Sequence, residues 1–159
     1  MPRSRTIAVV GPGDADDELC RIAYEAGQLV AGRGDAVITG GLGGIMEAAS
    51  QGARDAGGLV IGLLPGSDAG AANDAVSVAI PTGLGELRNA LIVRSADGVI
   101  AIGGSWGTMS EIALAMRTGT PVVCVNGWEI NDHSGSAVIL ENATSAAEAI
   151  DVLYRVMKL

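Results

Sequence analysis

The sequence predicts an α/β fold: a Rossmann-like open, mostly parallel sheet of about seven strands with helices on both faces. Three observations predict it. Short β-branched runs alternate with Ala-rich stretches of helical period. Runs such as Val9-Val10, Val60-Ile61-Gly62-Leu63-Leu64 and Val122-Val123-Cys124-Val125 are apolar at every position, as strands covered from both sides must be. Glycine-rich turns follow the first, second and fifth strands of the chain, at the sheet end where parallel folds bind ligands.

Thr6–Val10 reads as the first strand, followed by a helix from about Asp16 to Ala31 with Leu19, Ile22, Ala23, Ala26 and Leu29 on one face. Asp14, Asp16 and Asp17 stand where acids cap a helix start. Ala36–Thr39 is the second strand, and Gly40, Gly41, Gly43 and Gly44 open a helix that reaches about Ala56. Leu59–Leu64 is the third strand, ended by Pro65-Gly66. Ser67–Asp74 shows neither period and is read as a mobile polar loop at the rim of the sheet. Ala75–Ile80 is the fourth strand, and beyond Pro81-Thr82-Gly83 a helix runs from about Gly85 to Ser95. The strand Gly98–Ile102, the helix Thr108–Arg117 and the strand Pro121–Val125 follow. A loop from Asn126 to Gly135 leads to a last strand, Ala137–Leu140, and a closing helix, Ser145–Met157.

A chain of 159 residues suits a single domain, residues 1–159, with a core large enough to need neither metal nor disulfide. With 48% apolar residues, only 3% aromatic and no Phe, that core is built from Ala, Val, Ile and Leu brought close by glycine. A net charge of −8 repels nucleic acid and anionic membrane, so neither is expected as a partner. Cys20 and Cys124 form no CxxC motif and read as buried free thiols in a reducing compartment. Met1-Pro2-Arg3-Ser4-Arg5 leads straight into a strand and no apolar run reaches membrane-spanning length, which points to the cytoplasm.

Several chemistries are excluded by residue type. The only lysine is Lys158, so there is no Walker A loop and no plausible Schiff-base residue for pyridoxal phosphate; the protein is not a pyridoxal-dependent lysine decarboxylase. The first turn is Gly11-Pro12-Gly13 and the second strand ends Thr39-Gly40-Gly41, with no acid there for a dinucleotide ribose. A single histidine, His133, and no close pair of acids argue against a metal centre. No GxSxG elbow accompanies that histidine.

Glycine, arginine and glutamate remain. The turn Gly103-Gly104-Ser105-Trp106-Gly107-Thr108 joins a strand to a helix N-terminus, where bare backbone N–H groups and the helix dipole attract an anion. Gly11, Gly41, Gly43 and Gly44 belong to the turns that converge beside it. Arg88 lies in the first turn of its helix, where a cation opposes the dipole; it reads either as an anion ligand or as a surface residue paired with Glu86. Glu111 is a candidate catalytic carboxylate, yet Thr108-Met109-Ser110-Glu111 also fits a capping box like that of Ser145-Ala146-Ala147-Glu148, and spacing alone slightly favours the cap. Glu47 has the same ambiguity. Trp106 reads as a lid over a ligand or, more commonly for such a residue, a plug against a neighbouring helix; Met109 and Met116 read as core.

At these residues the chain resembles a known family. Gly103-Gly104-Ser105-Trp106-Gly107-Thr108-Met109-Ser110-Glu111 resembles the PGGxGTxxE signature of the LONELY GUY (LOG) type proteins, long mislabelled as lysine decarboxylases. Glu86-Leu87-Arg88-Asn89 falls where those proteins carry an Arg-containing helix start. Gly40-Gly41-Leu42-Gly43-Gly44-Ile45-Met46-Glu47-Ala48-Ala49 and Ile61-Gly62-Leu63-Leu64-Pro65-Gly66 are similar to the branch that includes molybdenum cofactor carrier proteins. The similarity spans roughly residues 6–125.

The resemblance implies a nucleotide- or phosphorylated-cofactor-binding protein whose ligand phosphate lies at residues 103–108. Its alternative implication is a nucleoside 5′-monophosphate phosphoribohydrolase, with Arg88 and Glu111 in the catalytic positions. Glu111 would then stabilise an oxocarbenium-like ribose or orient water, and Arg88 would bind the phosphate or the departing base. It implies no cofactor for catalysis, an AMP-like nucleotide or molybdenum cofactor as the bound molecule, and a homodimer or homotetramer. Ile102 stands in place of the signature proline and Asn89 in place of the usual Lys, departures that agree better with the carrier-like branch.

Overall fold

A computed structural model describes residues 3–138 and 140–157. Met1 and Pro2 of the leader reading, Ile139 of the expected last strand, and the sole lysine Lys158 lie outside the described residues. The elements run β1 (Thr6–Val10), α1 (Asp17–Gly32), β2 (Ala36–Thr39), α2 (Ile45–Asp55), β3 (Val60–Leu64), β4 (Val78–Pro81), α3 (Arg88–Ser95), β5 (Gly98–Ile102), α4 (Trp106–Thr118), β6 (Val122–Val125), β7 (Glu141–Ala143) and α5 (Ala146–Val156). Short 3₁₀ turns occupy Ala69–Ala71 and Gly85–Leu87.

The seven strands form one sheet in the order β4-β3-β2-β1-β5-β6-β7, and every neighbouring pair is parallel. Alternation along the strands divides the core between two faces. Ile7 and Val9 of β1 pack with α1, α2 and α5, whereas Ala8 and Val10 pack with α3 and α4. This is the Rossmann-like layering expected from the apolar runs.

Several boundaries differ from the sequence expectation: the helix expected from about Gly85 begins with the 3₁₀ turn Gly85–Leu87, so that α3 itself starts at Arg88. β4 begins at Val78 and not at Ala75, because Asn73 accepts the N–H of Ala75 on its side chain and that of Val76 on its carbonyl, holding both in a turn. β7 is Glu141–Ala143 and not Ala137–Leu140. Residues 130–138 fold back on themselves through the Val138 N–H to Ile130 carbonyl bond and an antiparallel Asn131↔Ala137 bridge, so pairing with β6 starts only at Val123↔Glu141. Finally, α4 starts at Trp106, two residues earlier than Thr108.

Helix α1 is capped by the Asp16 carboxylate, which accepts the Leu19 N–H at 2.9 Å. Its buried stripe is Ile22, Ala23, Ala26, Gly27 and Val30, and Leu29, expected on that face, is exposed because it falls outside the i, i+4 rows. Met116, expected in the core, is exposed on α4. Helices α1 and α2 approach through reciprocal glycines: a Cβ on Gly27 would lie 2.1 Å from the Ala49 carbonyl oxygen, and one on Gly52 2.0 Å from that of Tyr24. Only backbone stands at these points, so neither helix can yield by rotating a side chain. Gly52→Ala is therefore expected to destabilise the protein by about 2 kcal/mol or more in denaturant titration, whereas alanine at Gly32, which has open space around it, leaves stability within about 0.5 kcal/mol.

Candidate functional site

β2, β1 and β5 are adjacent in the sheet and parallel, so the turns that follow them emerge side by side at its carboxyl edge. The crowding there accounts for the glycines. A Cβ on Gly11 would come within 2.5 Å of the Ile102 carbonyl oxygen, linking the first turn to the end of β5. Gly44, the residue before α2, has φ 61° and abuts the Pro12 carbonyl, a conformation and a clearance that only glycine meets. Gly41 and Gly43 complete that turn. Thr39 Oγ1 accepts the Gly41 N–H, while Asn73 donates from Nδ2 to the carbonyls of Gly41 and Leu42. The segment 67–74, expected to be a mobile rim loop, thus carries the residue that ties down the second glycine turn.

Beyond β5, Gly103 and Gly104 lead to Ser105, which caps α4. Its Oγ accepts the Thr108 N–H at 3.1 Å, and the two hydroxyls lie 2.9 Å apart. This settles the ambiguity at Glu111. With Ser105 as the cap, Thr108 occupies the third helical position and Glu111 stands a turn further along, beyond reach of the capping role. α5 shows the contrast: Ser145 accepts the Glu148 N–H, and the Glu148 carboxylate accepts the N–H and hydroxyl of Thr144, a true acidic cap. In α4 the N–H groups of Trp106 and Gly107 precede the first intrahelical bonds and bond nothing among the described residues.

Glu111 is 7% exposed and Arg88, the first residue of α3, 9% exposed. Arg88 does not pair with Glu86. Its guanidinium donates to the Asn89 side-chain oxygen and, at 3.4 Å, to the Gly40 carbonyl. A Cβ on Gly40 would lie 2.6 Å from Arg88 Nη2 and from Met46 Sδ, so that glycine makes room for the guanidinium. The site therefore draws on Gly40, Met46, Asn73 and Asn89 as well as the residues singled out from sequence.

Arg88 Nε and Glu111 Oε2 are both buried without a hydrogen-bond partner. Among the described residues no ion pair joins them, although each charge acts on the other. Burial raises the Glu111 carboxyl to about 8, against the opposing pull of Arg88, and burial lowers Arg88. Burial thus favours the protonated form of Glu111 in the folded chain. Trp106 is neither a lid nor a plug in the chain alone: it is 81% exposed at the mouth of the turn, with its ring 5.0 Å from that of Trp128 and nearly perpendicular to it. Among the described residues no three His, Cys, Asp or Glu side chains gather as a metal site, and no helix is long and apolar enough to cross a membrane.

The Glu111 shift has a definite consequence for stability. Because the folded carboxyl holds its proton up to about pH 8 and an unfolded glutamate loses it near 4.5, folding binds a proton across that window and stability falls as pH rises through it. Glu111→Gln should remove this fall, giving a melting temperature that exceeds the wild type by a margin growing from pH 5 to pH 8. Parallel melting curves for the two proteins would count against the burial effect.

Known proteins are similar to this chain. A protein of Archaeoglobus fulgidus, described only as uncharacterized, is 42% identical over 138 residues, 83% of this chain and 91% of its own. Among solved structures, the molybdenum cofactor binding protein of Rippkaea orientalis is 37% identical with a TM-score of 0.87 over 98% of both chains. The molybdenum cofactor carrier protein of Chlamydomonas reinhardtii is 30% identical with a TM-score of 0.84, over 99% of this chain and 100% of that one. The glycine turns, the helix carrying Arg88 and the helix carrying Glu111 all fall within residues 4–154, which match the SLOG cluster4 family, and the chain belongs to that family.

Proposed function

We propose that this protein binds and carries a phosphorylated small molecule of the molybdenum cofactor or nucleotide type, without hydrolysing it. The observation that carries the reading is the pair of buried, unpartnered atoms, Arg88 Nε and Glu111 Oε2, beside a helix start with bare N–H groups. Leaving such groups dry and unbonded costs on the order of 1–3 kcal/mol each, a cost that a bound ligand offsets. Phosphate oxygens would accept from the N–H groups of Trp106 and Gly107 and from the Arg88 guanidinium, a planar donor well matched to them. Gly11, Gly41, Gly43, Gly44, Gly103 and Gly104 keep the backbone near enough for that approach, with Ser105 and Thr108 holding the helix start in shape.

The protonation of Glu111 favours carriage over hydrolysis. An oxocarbenium-like ribose gains stabilisation from a carboxylate charge, and a carboxyl near pKa 8 supplies little of it at pH 7. As a neutral group it can instead donate one hydrogen bond to a ligand oxygen. The names of the two solved relatives, a molybdenum cofactor binding protein and a molybdenum cofactor carrier protein, support the same choice.

Calorimetric titration with molybdenum cofactor and with AMP tests this reading. Binding of at least one is expected, weakened about tenfold or more by Arg88→Ala. Affinity should also fall as pH rises above about 8, because an ionised Glu111 repels the phosphate. Incubation with a panel of nucleoside monophosphates should release no base. Base release that Glu111→Gln abolishes would establish the phosphoribohydrolase instead.

A further inference from the structure

A second feature beside the turn suggests what the rest of the ligand is. The chain has two Trp, two Tyr and no Phe. Both tyrosines have structural partners: Tyr24 donates to Asp55, and Tyr154 donates to the buried Asp35 at the opposite end of the sheet from the glycine turns. Both tryptophans stand together at the mouth of the α4 turn. Trp128 comes from the segment after β6 and packs against Gly104, where a Cβ would run into its Cδ1 and Nε1 atoms. Its edge-to-face contact then fixes Trp106, leaving most of that indole open to solvent.

The open side of Trp106 forms one wall of a groove of about 380 Å³ between the starts of α3 and α4. Leu87, which is 73% exposed, Ala90 and Leu114 supply further apolar surface, and Asn89 and Ser110 place polar atoms at its border. Asn89 uses its oxygen to accept from Arg88, which leaves its Nδ2 without a bonded acceptor among the described residues. Gly107 lies beside Asn89 and Ser105, for a Cβ there would be in ordinary van der Waals contact, 3.9 Å from Asn89 Nδ2 and from Ser105 Oγ. Apolar walls with a few convergent polar groups, in this size range, are the pattern of a small-molecule subsite.

We infer that this groove takes a planar nitrogen heterocycle stacked on Trp106, with Asn89 donating to the ring edge and Trp128 acting as a positioning residue that holds the indole. The inference rests on the phosphate site proposed above, since Asn89 and Gly107 connect the groove to Arg88 and to the α4 turn. Stacking is sequence-tolerant toward the ring, so a purine or a pterin is accepted while a phosphate ester lacking a ring gains nothing from the groove.

The test uses three probes: AMP, a phosphorylated pterin and ribose 5-phosphate, titrated calorimetrically and by tryptophan fluorescence into wild type, Trp106→Phe and Trp106→Ala. At least one ring-bearing probe should bind wild type about tenfold more tightly than ribose 5-phosphate and quench the fluorescence. Trp106→Ala should abolish that advantage, read within each protein as the ratio of ring-bearing to ribose 5-phosphate affinity, and Trp106→Phe should retain most of it. Trp106 is exposed, so its replacement is not expected to impair folding. Ribose 5-phosphate binding as tightly as both ring-bearing probes, or Trp106→Ala leaving the ring advantage intact, would overturn the ring site. So would a Trp106→Ala protein that loses an oligomer in sedimentation with no selective loss of ring binding, since the groove would then belong to a second copy. Failure of all three probes to bind wild type would overturn the phosphate site itself, and the ring site with it.

Discussion

The organisation of this molecule turns on the burial of one cation and one acid, Arg88 and Glu111, without a full set of partners. Taking ionisable groups out of water is among the most costly things a fold does, and it persists where the surroundings impose it or a ligand compensates it. Here the surroundings impose it through β2, β1 and β5. Their neighbouring carboxyl ends bring three glycine turns together, and α4, which follows β5, and α3, which follows β4, lower Glu111 and Arg88 into the space between. The desolvation that raises the Glu111 pKa also strengthens any hydrogen bond made there.

The near absence of aromatic side chains serves the same end. A core of Ala, Val, Ile and Leu lets α1 and α2 touch through Gly27 and Gly52, and lets Gly11 and Gly44 pack against carbonyls at the sheet edge. The two tryptophans are thereby spared for the surface of the α4 turn. Small residues set the distances, and the two tryptophans stand together at the mouth of the α4 turn.

Much of this was legible from sequence because it is local. Strand-length apolar runs placed β1, β2, β3, β5 and β6 to within a residue, and the turns at Gly11, Gly41 and Gly103 marked the edge at which they converge. Arg88 and Glu111 were identifiable because arginine at a helix start conflicts with the dipole and glutamate follows a glycine turn. Features set by distant partners were not legible. Thr108 read as the cap, and only the observed helix start at Trp106 gives that role to Ser105. The β7 register depends on residues 130–138 folding back on themselves, which strand propensity does not encode. Asn73 and Trp128 reach the site from segments with no periodic pattern, and the role of Gly40 is visible only once the Arg88 guanidinium lies against it.

The protonation state of Glu111 is where binding and hydrolysis part, and it can be observed directly. Infrared difference spectroscopy between the wild type and Glu111→Gln isolates the carbonyl stretch of this one carboxyl. A protonated carboxylic acid band is expected at pH 7, shifting when the phosphorylated ligand binds and disappearing as pH rises past about 8. A carboxylate band at pH 7, indifferent to ligand, would contradict it.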